Sequence, residues 1–101
     1  MTSLTDVKQE TGEHLWYQLI SDMNPDALQL DPRYFDDAVI GISFNYGCVL
    51  VYDYDRIIEL LVENEDMNTK EAIEHADYNI LGSQGEHFPI YIRRKNKFYE
   101  D

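Results

Sequence analysis

Apolar side chains recur along this chain at two spacings, and the changes from one to the other divide it into elements. From Asp37 to Asp55 the stretch DAVIGISFNYGCVLVYDYD is the longest apolar run, broken once at Asn45-Tyr46-Gly47. Val, Ile, Phe, Leu and Tyr on either side of that break suit a pleated, half-buried surface. The pattern therefore predicts a β-hairpin, residues 38–44 paired with 48–52, with Ile40, Ile42, Phe44, Leu50 and Tyr52 on its core face. Upstream, Leu15, Trp16, Leu19, Ile20 and Met23 fall at helical spacing. They predict a helix over 12–23, capped by Thr11 and stopped by Asn24-Pro25-Asp26. The first eleven residues are polar and read as loosely ordered. Residues 27–36 show no clean period and two nearby prolines, so they read as a loop in which Asp31-Pro32 caps one short helical turn carrying Tyr34 and Phe35.

After the hairpin the period becomes helical again. Asp53 or Asp55 suits the cap of a helix running to Asn64, since a carboxylate there accepts a free backbone N–H and meets the positive end of the dipole. Ile57, Ile58, Leu61 and Val62 form its apolar face. A second helix begins at Asn68, with Glu71 three residues on completing a capping box, and runs to Leu81 with Ala72, Ile73, Ala76 and Ile80 facing inward. Gly82 ends it. Residues 87–92, HFPIYI, read as a third strand, and Pro89, which cannot donate to a ladder, places that strand at a sheet edge. The expected fold class is α+β: a small three-stranded antiparallel or mixed sheet with helices packed on it, in the order α-β-β-α-α-β. Its 101 residues make one domain, with 93–101 as loosely ordered as 1–11.

Charge changes the picture more than composition does. Twenty acidic residues against eight basic ones give a formal net charge of −12. Such an imbalance opposes binding to nucleic acid or to an anionic membrane and calls for a basic partner. Four of the eight basic residues lie in the last nine positions, RRKNKFYED, so the rest of the chain is more acidic still. Asp55, Glu59 and Glu63 follow at i, i+4, i+8 opposite the apolar face of their helix, with Asp66 close behind, and the next helix adds Glu71, Glu74 and Asp77. Like charges at that spacing destabilise a helix by roughly 0.2–0.5 kcal/mol per pair, and only Arg56 and Lys70 are near enough in sequence to relieve them. Carboxylates about 5–6 Å apart along a helix resemble the phosphates of one nucleic-acid strand, and can fill a groove lined with Lys and Arg. The plainer reading is a solvated face that keeps a small protein dispersed.

Other constellations carry less. Cys48, the single cysteine, rules out an internal disulfide and reads as a small buried residue. Asp53-Tyr54-Asp55 lacks the glycine and spaced acids of a calcium loop, so capping is preferred. Glu71 and His75, with His87, make at most half a metal site, and His14 has no evident partner. No phosphate-cradling loop or nucleophile motif is present, so no catalytic residue, metal or cofactor is expected. Eight tyrosines are many for this length, and Tyr46, Tyr54 and Tyr78 are candidate contacts. There is neither a leader-like start nor an apolar run of membrane-spanning length, which suits a soluble protein.

The segments FDDAVIGISF, VLVYDYDRIIELLVENEDMNTKEAIEHADYNILG and GEHFPIYI resemble a group of small bacteriophage-encoded proteins. In that group a strand ends at a YDYD-like stretch, a helix follows, a Met-x-x-x-Glu-Ala turn leads into a second helix ending near Tyr-Asn, and a Gly-Glu-x-x-Pro-Ile segment closes the pattern. The likeness spans residues 35–92, and it departs at Gly82-Ser83-Gln84, where the group often has Gly-Ala. The group has no assigned activity, so no residue's role follows from it. The resemblance implies a viral origin and a place in the cytoplasm of an infected bacterium. Together with the charge, it leads to the expectation of a non-catalytic inhibitor, monomer or homodimer, that binds a host nucleic-acid-binding protein with a basic groove, of the CRISPR or restriction type. The contacts would be Asp55, Glu59, Glu63, Asp66, Glu71, Glu74, Asp77, Tyr54 and Tyr78, with no direct contact to nucleic acid or membrane. The alternative is a viral structural or assembly accessory that binds through surface aromatics, and an enzyme comes third.

Overall fold

The computed structural model describes residues 3–6, 15–45, 47–82 and 85–93. Thr11, Gly12, His14, Tyr46, the Ser83-Gln84 link and the tail beyond Arg93, together with the side chains of Leu15 and Trp16, lie outside the described part, as do the expectations placed on them. In chain order the elements are β1 (Ser3–Asp6), α1 (Leu15–Met23), β2 (Leu28–Asp31), a 3-10 helix (Arg33–Ala38), β3 (Val39–Ser43), β4 (Val49–Asp53), α2 (Tyr54–Glu65), α3 (Thr69–Asn79) and β5 (Ile90–Ile92). The chain is an α+β fold. A mixed sheet, ordered β3-β4-β5, pairs β3 with β4 antiparallel and β4 with β5 parallel, and a separate antiparallel ribbon pairs β1 with β2.

The expected hairpin is present, its first strand shorter by one residue at each end and its second shifted by one residue. Cys48 has φ of 60° and Gly47 of 91°, left-handed values that belong to a turn and not to a strand, so β4 starts at Val49. Cys48 is consequently half-buried, not the buried strand residue expected. Phe44 falls in the same loop and is 80% exposed, which removes it from the core face. The register slips between Val39 and Gly41, a bulge that breaks the alternation at Ile40; Ile40 ends up half-buried, while Ile42, also half-buried, packs against the core as expected. Leu50 and Tyr52 are fully buried as expected, and β4, central in its sheet, buries residues of both faces.

Residues 27–36 are not a loop. Leu28–Asp31 forms β2, whose partner β1 comes from the stretch read as loosely ordered. The backbone N–H of Leu30 donates to the buried Tyr52 hydroxyl at 2.8 Å, which ties the ribbon to the central strand of the mixed sheet. The short helical turn expected after Asp31-Pro32 is there, lengthened into the 3-10 helix that buries Phe35 and Ala38. Asn24, buried at the end of α1, holds three loops together. Its Nδ2 donates to the carbonyls of Gly47 (2.8 Å) and Cys48 (3.3 Å) and faces His87 Nδ1 at 3.2 Å, while its Oδ1 accepts from the Asp26 N–H. His87 therefore lies in a turn with φ of 71°, and the strand expected over 87–92 is shortened to Ile90–Ile92, still at a sheet edge.

Both later helices start where their caps require. Asp53 accepts the N–H groups of Asp55 and Arg56, which settles the choice between the two aspartates, and Asn68 and Glu71 form the full capping box. One core cluster gathers Ile20, Leu30, Phe35, Tyr52, Leu61 and Ile80, so every layer contributes to it. The helix α2 packs on β4 and the 3-10 helix, and α3 packs on α2. Leu60 is buried along with the expected Ile57, Ile58 and Leu61. Ile73 is 38% exposed, because α3 turns only its Ala72, Ala76 and Ile80 side inward. Among the described residues no helix is long and apolar enough to cross a membrane.

Candidate functional site

The acidic surface is built on the outer faces of α2 and α3. Helix geometry forces this: once Ile57, Leu60 and Leu61 bury one side of α2, positions 59 and 63 must point the other way, and both are exposed. Eight acidic and two basic side chains lie between residues 54 and 79. The acids, however, do not form a uniform row.

Three groupings replace it. On α2, Arg56 Nη1 donates to Glu59 Oε1 at 3.1 Å and to Glu63 Oε2 at 3.2 Å, and its Nη2 lies 3.9 Å from Asp37 in the 3-10 helix. Partial burial disfavours the charged guanidinium, but these hydrogen bonds outweigh that and raise its pKa. At the start of α2, half-buried Asp55 pairs with Arg93 at 3.2 Å, and the Arg93 guanidinium carbon lies 5.1 Å from the centre of the Tyr54 ring. The Tyr54 hydroxyl donates to Asp77 Oδ1 at 2.9 Å, joining α2 to α3. Burial and the Asp77 carboxylate push the Tyr54 phenol up to about 12. On α3, Glu74 and Tyr78 stand one turn apart, both exposed, Tyr78 to 85%.

The remaining expected contacts serve different ends. Glu71 Oε1 accepts the Asn68 N–H at 2.9 Å, so its carboxylate belongs to the cap. Asp66 closes α2 in the left-handed region with φ of 56°. Tyr54 is buried, a correction to its reading as a surface contact: its ring is covered and its hydroxyl engaged. Tyr34, which the sequence reading did not single out, donates to Glu65 at 2.6 Å and fastens the 3-10 helix to the end of α2. Among the described residues no three His, Cys, Asp or Glu gather to hold a metal ion; His75 faces Asn79, and His87 is turned to Asn24.

Tyr91 was likewise missed, and Arg93 stood out only as the start of the basic tail. An open groove of about 350 Å³ is lined by Tyr54, Leu81, Tyr91, Ile92 and Arg93. The only hint in the sequence is that the basic tail begins where β5 ends; that Arg93 returns to the first turn of α2 depends on the parallel pairing of β4 with β5. No protein-family model, curated protein or solved structure matches the chain.

Proposed function

We propose that this protein is a non-catalytic inhibitor of bacteriophage type, acting in the cytoplasm of an infected bacterium. It occupies the basic groove of a host nucleic-acid-handling protein, a CRISPR or restriction component, with its acidic helix pair imitating a nucleic-acid strand. The observation that carries this reading is the concentration of exposed carboxylates on α2 and α3, Glu59, Glu63, Glu71 and Glu74, in a chain of net charge −12. Electrostatic steering by such a face speeds the encounter with a cationic groove and disfavours nucleic acid itself. Arg56 partly neutralises Glu59 and Glu63, but a guanidinium shared by two helix carboxylates is replaceable by a partner's, since exposed pairs are weak. Exposed Phe44 and Tyr78 favour the second reading, an assembly accessory that binds a neutral surface.

Capture from bacterial lysate followed by mass spectrometry separates the two. The chain should retain nucleic-acid-binding proteins at about 50 mM salt and lose most of them by about 200 mM, the range in which screening shortens to roughly 10 Å and below. Added duplex DNA should release them. Reversing Glu59, Glu63 and Glu74 to lysine should abolish the capture; Glu71 is left intact because its carboxylate caps α3. Equal capture by the lysine variant, or capture that ignores salt and DNA, would refute the mimicry and point to the aromatics.

A further inference from the structure

The groove beside α2 deepens that reading by naming the chemistry through which a basic partner is gripped, and it rests on the partner being basic. Four of its five lining residues, Tyr54, Leu81, Tyr91 and Ile92, are aromatic or aliphatic, and the fifth is Arg93. Carboxylates hold two of its lining residues: Asp55, at the first turn of α2, pairs with Arg93, and Asp77 accepts from the Tyr54 hydroxyl and so fixes the ring. A guanidinium already sits there. Arg93 donates through Nε to Asp55 and lies over the Tyr54 ring, with its side chain half exposed to solvent. A carboxylate beside an aromatic face suits arginine better than lysine, because the planar guanidinium hydrogen-bonds in its plane while stacking on the ring, and an ammonium does not.

We propose that this groove is an arginine-binding site, whose clamp of Asp55 and the Tyr54 ring is held in the free chain by its own Arg93 and taken over on binding by an arginine of the partner. The partner's neighbouring aliphatic side chain then covers Leu81, Tyr91 and Ile92. Charge complementarity selects the occupant: on a chain of net charge −12 the exchange of one cation for another leaves Asp55 compensated, and the displaced Arg93 returns to water. The ion pair with Asp55 that is given up lies at the solvent edge, where such pairs exchange readily, and the stacking on Tyr54 is replaced by the partner's guanidinium.

The probe is the blocked tripeptide acetyl-Leu-Arg-Leu-amide, titrated into the full chain and followed by backbone NMR shifts. Shifts should concentrate at Tyr54, Asp55, Asp77 and Tyr91, the lysine peptide should bind more weakly, and the neutral citrulline peptide should leave them unmoved. Arg93→Ala should tighten the arginine peptide roughly threefold or more, since a site blocked by its own side chain is weakened by the fraction of time it stands open. Asp55→Asn should remove the preference for arginine over lysine, a readout that holds even if Arg93→Ala perturbs packing. Shifts confined to Glu59, Glu63 and Glu74, or weaker binding to Arg93→Ala, would overturn the site. Tightening on removal of residues 94–101 but not on Arg93→Ala would assign the groove to the chain's own tail instead. Either result leaves the lysate capture and its charge-reversed variant standing as the separate test of mimicry.

Discussion

Leu50 and Phe44 show how two similar side chains in one hairpin come to matter differently. Leu50 lies in the central strand and is fully buried; Phe44 lies one residue beyond β3 and is 80% exposed. Removing a buried leucine loses its transfer free energy and leaves a cavity, so Leu50→Ala should cost roughly 2–5 kcal/mol in denaturant unfolding. Phe44→Ala should stay within about 0.5 kcal/mol, as an exposed side chain has little packing to lose. Equal costs would mean that the loop residue packs after all. Asn24 illustrates the polar counterpart: one buried amide meets the carbonyls of Gly47 and Cys48, His87 and the Asp26 N–H, a convergence from three loops that sequence spacing does not reveal.

For the elements, the caps were legible and the strands less so. A cap is a local arrangement: Asn68 and Glu71 are three residues apart, and the hydrogen bonds they exchange depend on little else. Asn68→Ala should therefore destabilise the protein by about 1 kcal/mol. Glu71→Lys should also destabilise it, although it removes a like charge from an acidic face, while Glu74→Lys on the same helix should not. Chemical denaturation of the three variants checks the order; a neutral Glu71→Lys would deny the box its role. The ribbon of β1 and β2 was hidden for the opposite reason. Leu28-Gln29-Leu30-Asp31 does alternate, but four residues of alternation mean little until Ser3–Asp6 arrives to pair with them, and that partner lies more than twenty positions away. The bulge near Ile40 is also set by pairing, and it is why alternation misplaced that residue.

Across the whole molecule, burial of tyrosine makes stability depend on pH at the alkaline end. Tyr54 is pushed up to about 12, and the phenols of Tyr34, Tyr52 and Tyr91 are also raised, in each case chiefly by burial away from water. The unfolded chain loses these protons near pH 10, whereas the folded chain keeps them. In that interval the folded state binds more protons, so stability is complete below about pH 10 and falls as pH rises toward 12. The urea midpoint should drop between pH 9 and pH 11.5, and Tyr54→Phe should make the drop shallower. A midpoint that is constant over this range would show that the phenols titrate alike in both states.

The amino-acid order by itself determined the α+β class, the hairpin, both later helices with their caps, and the acidic surplus on the helix faces. Each depends on residues within about one turn or one hairpin of each other, or on simple counting. Only the tertiary structure decided which acids are engaged by distant segments. Arg56 meets Glu59 and Glu63 along its own helix but adds Asp37 only by reaching across to the 3-10 helix, and Arg93 reaches Asp55 and Tyr54 because β5 runs parallel to β4 and ends beside the start of α2. A charge's place along the chain fixes its sign and its helix face. Which opposite charge it meets is set by how distant segments pack, and burial of the apolar faces, not attraction between the charges, determines that packing.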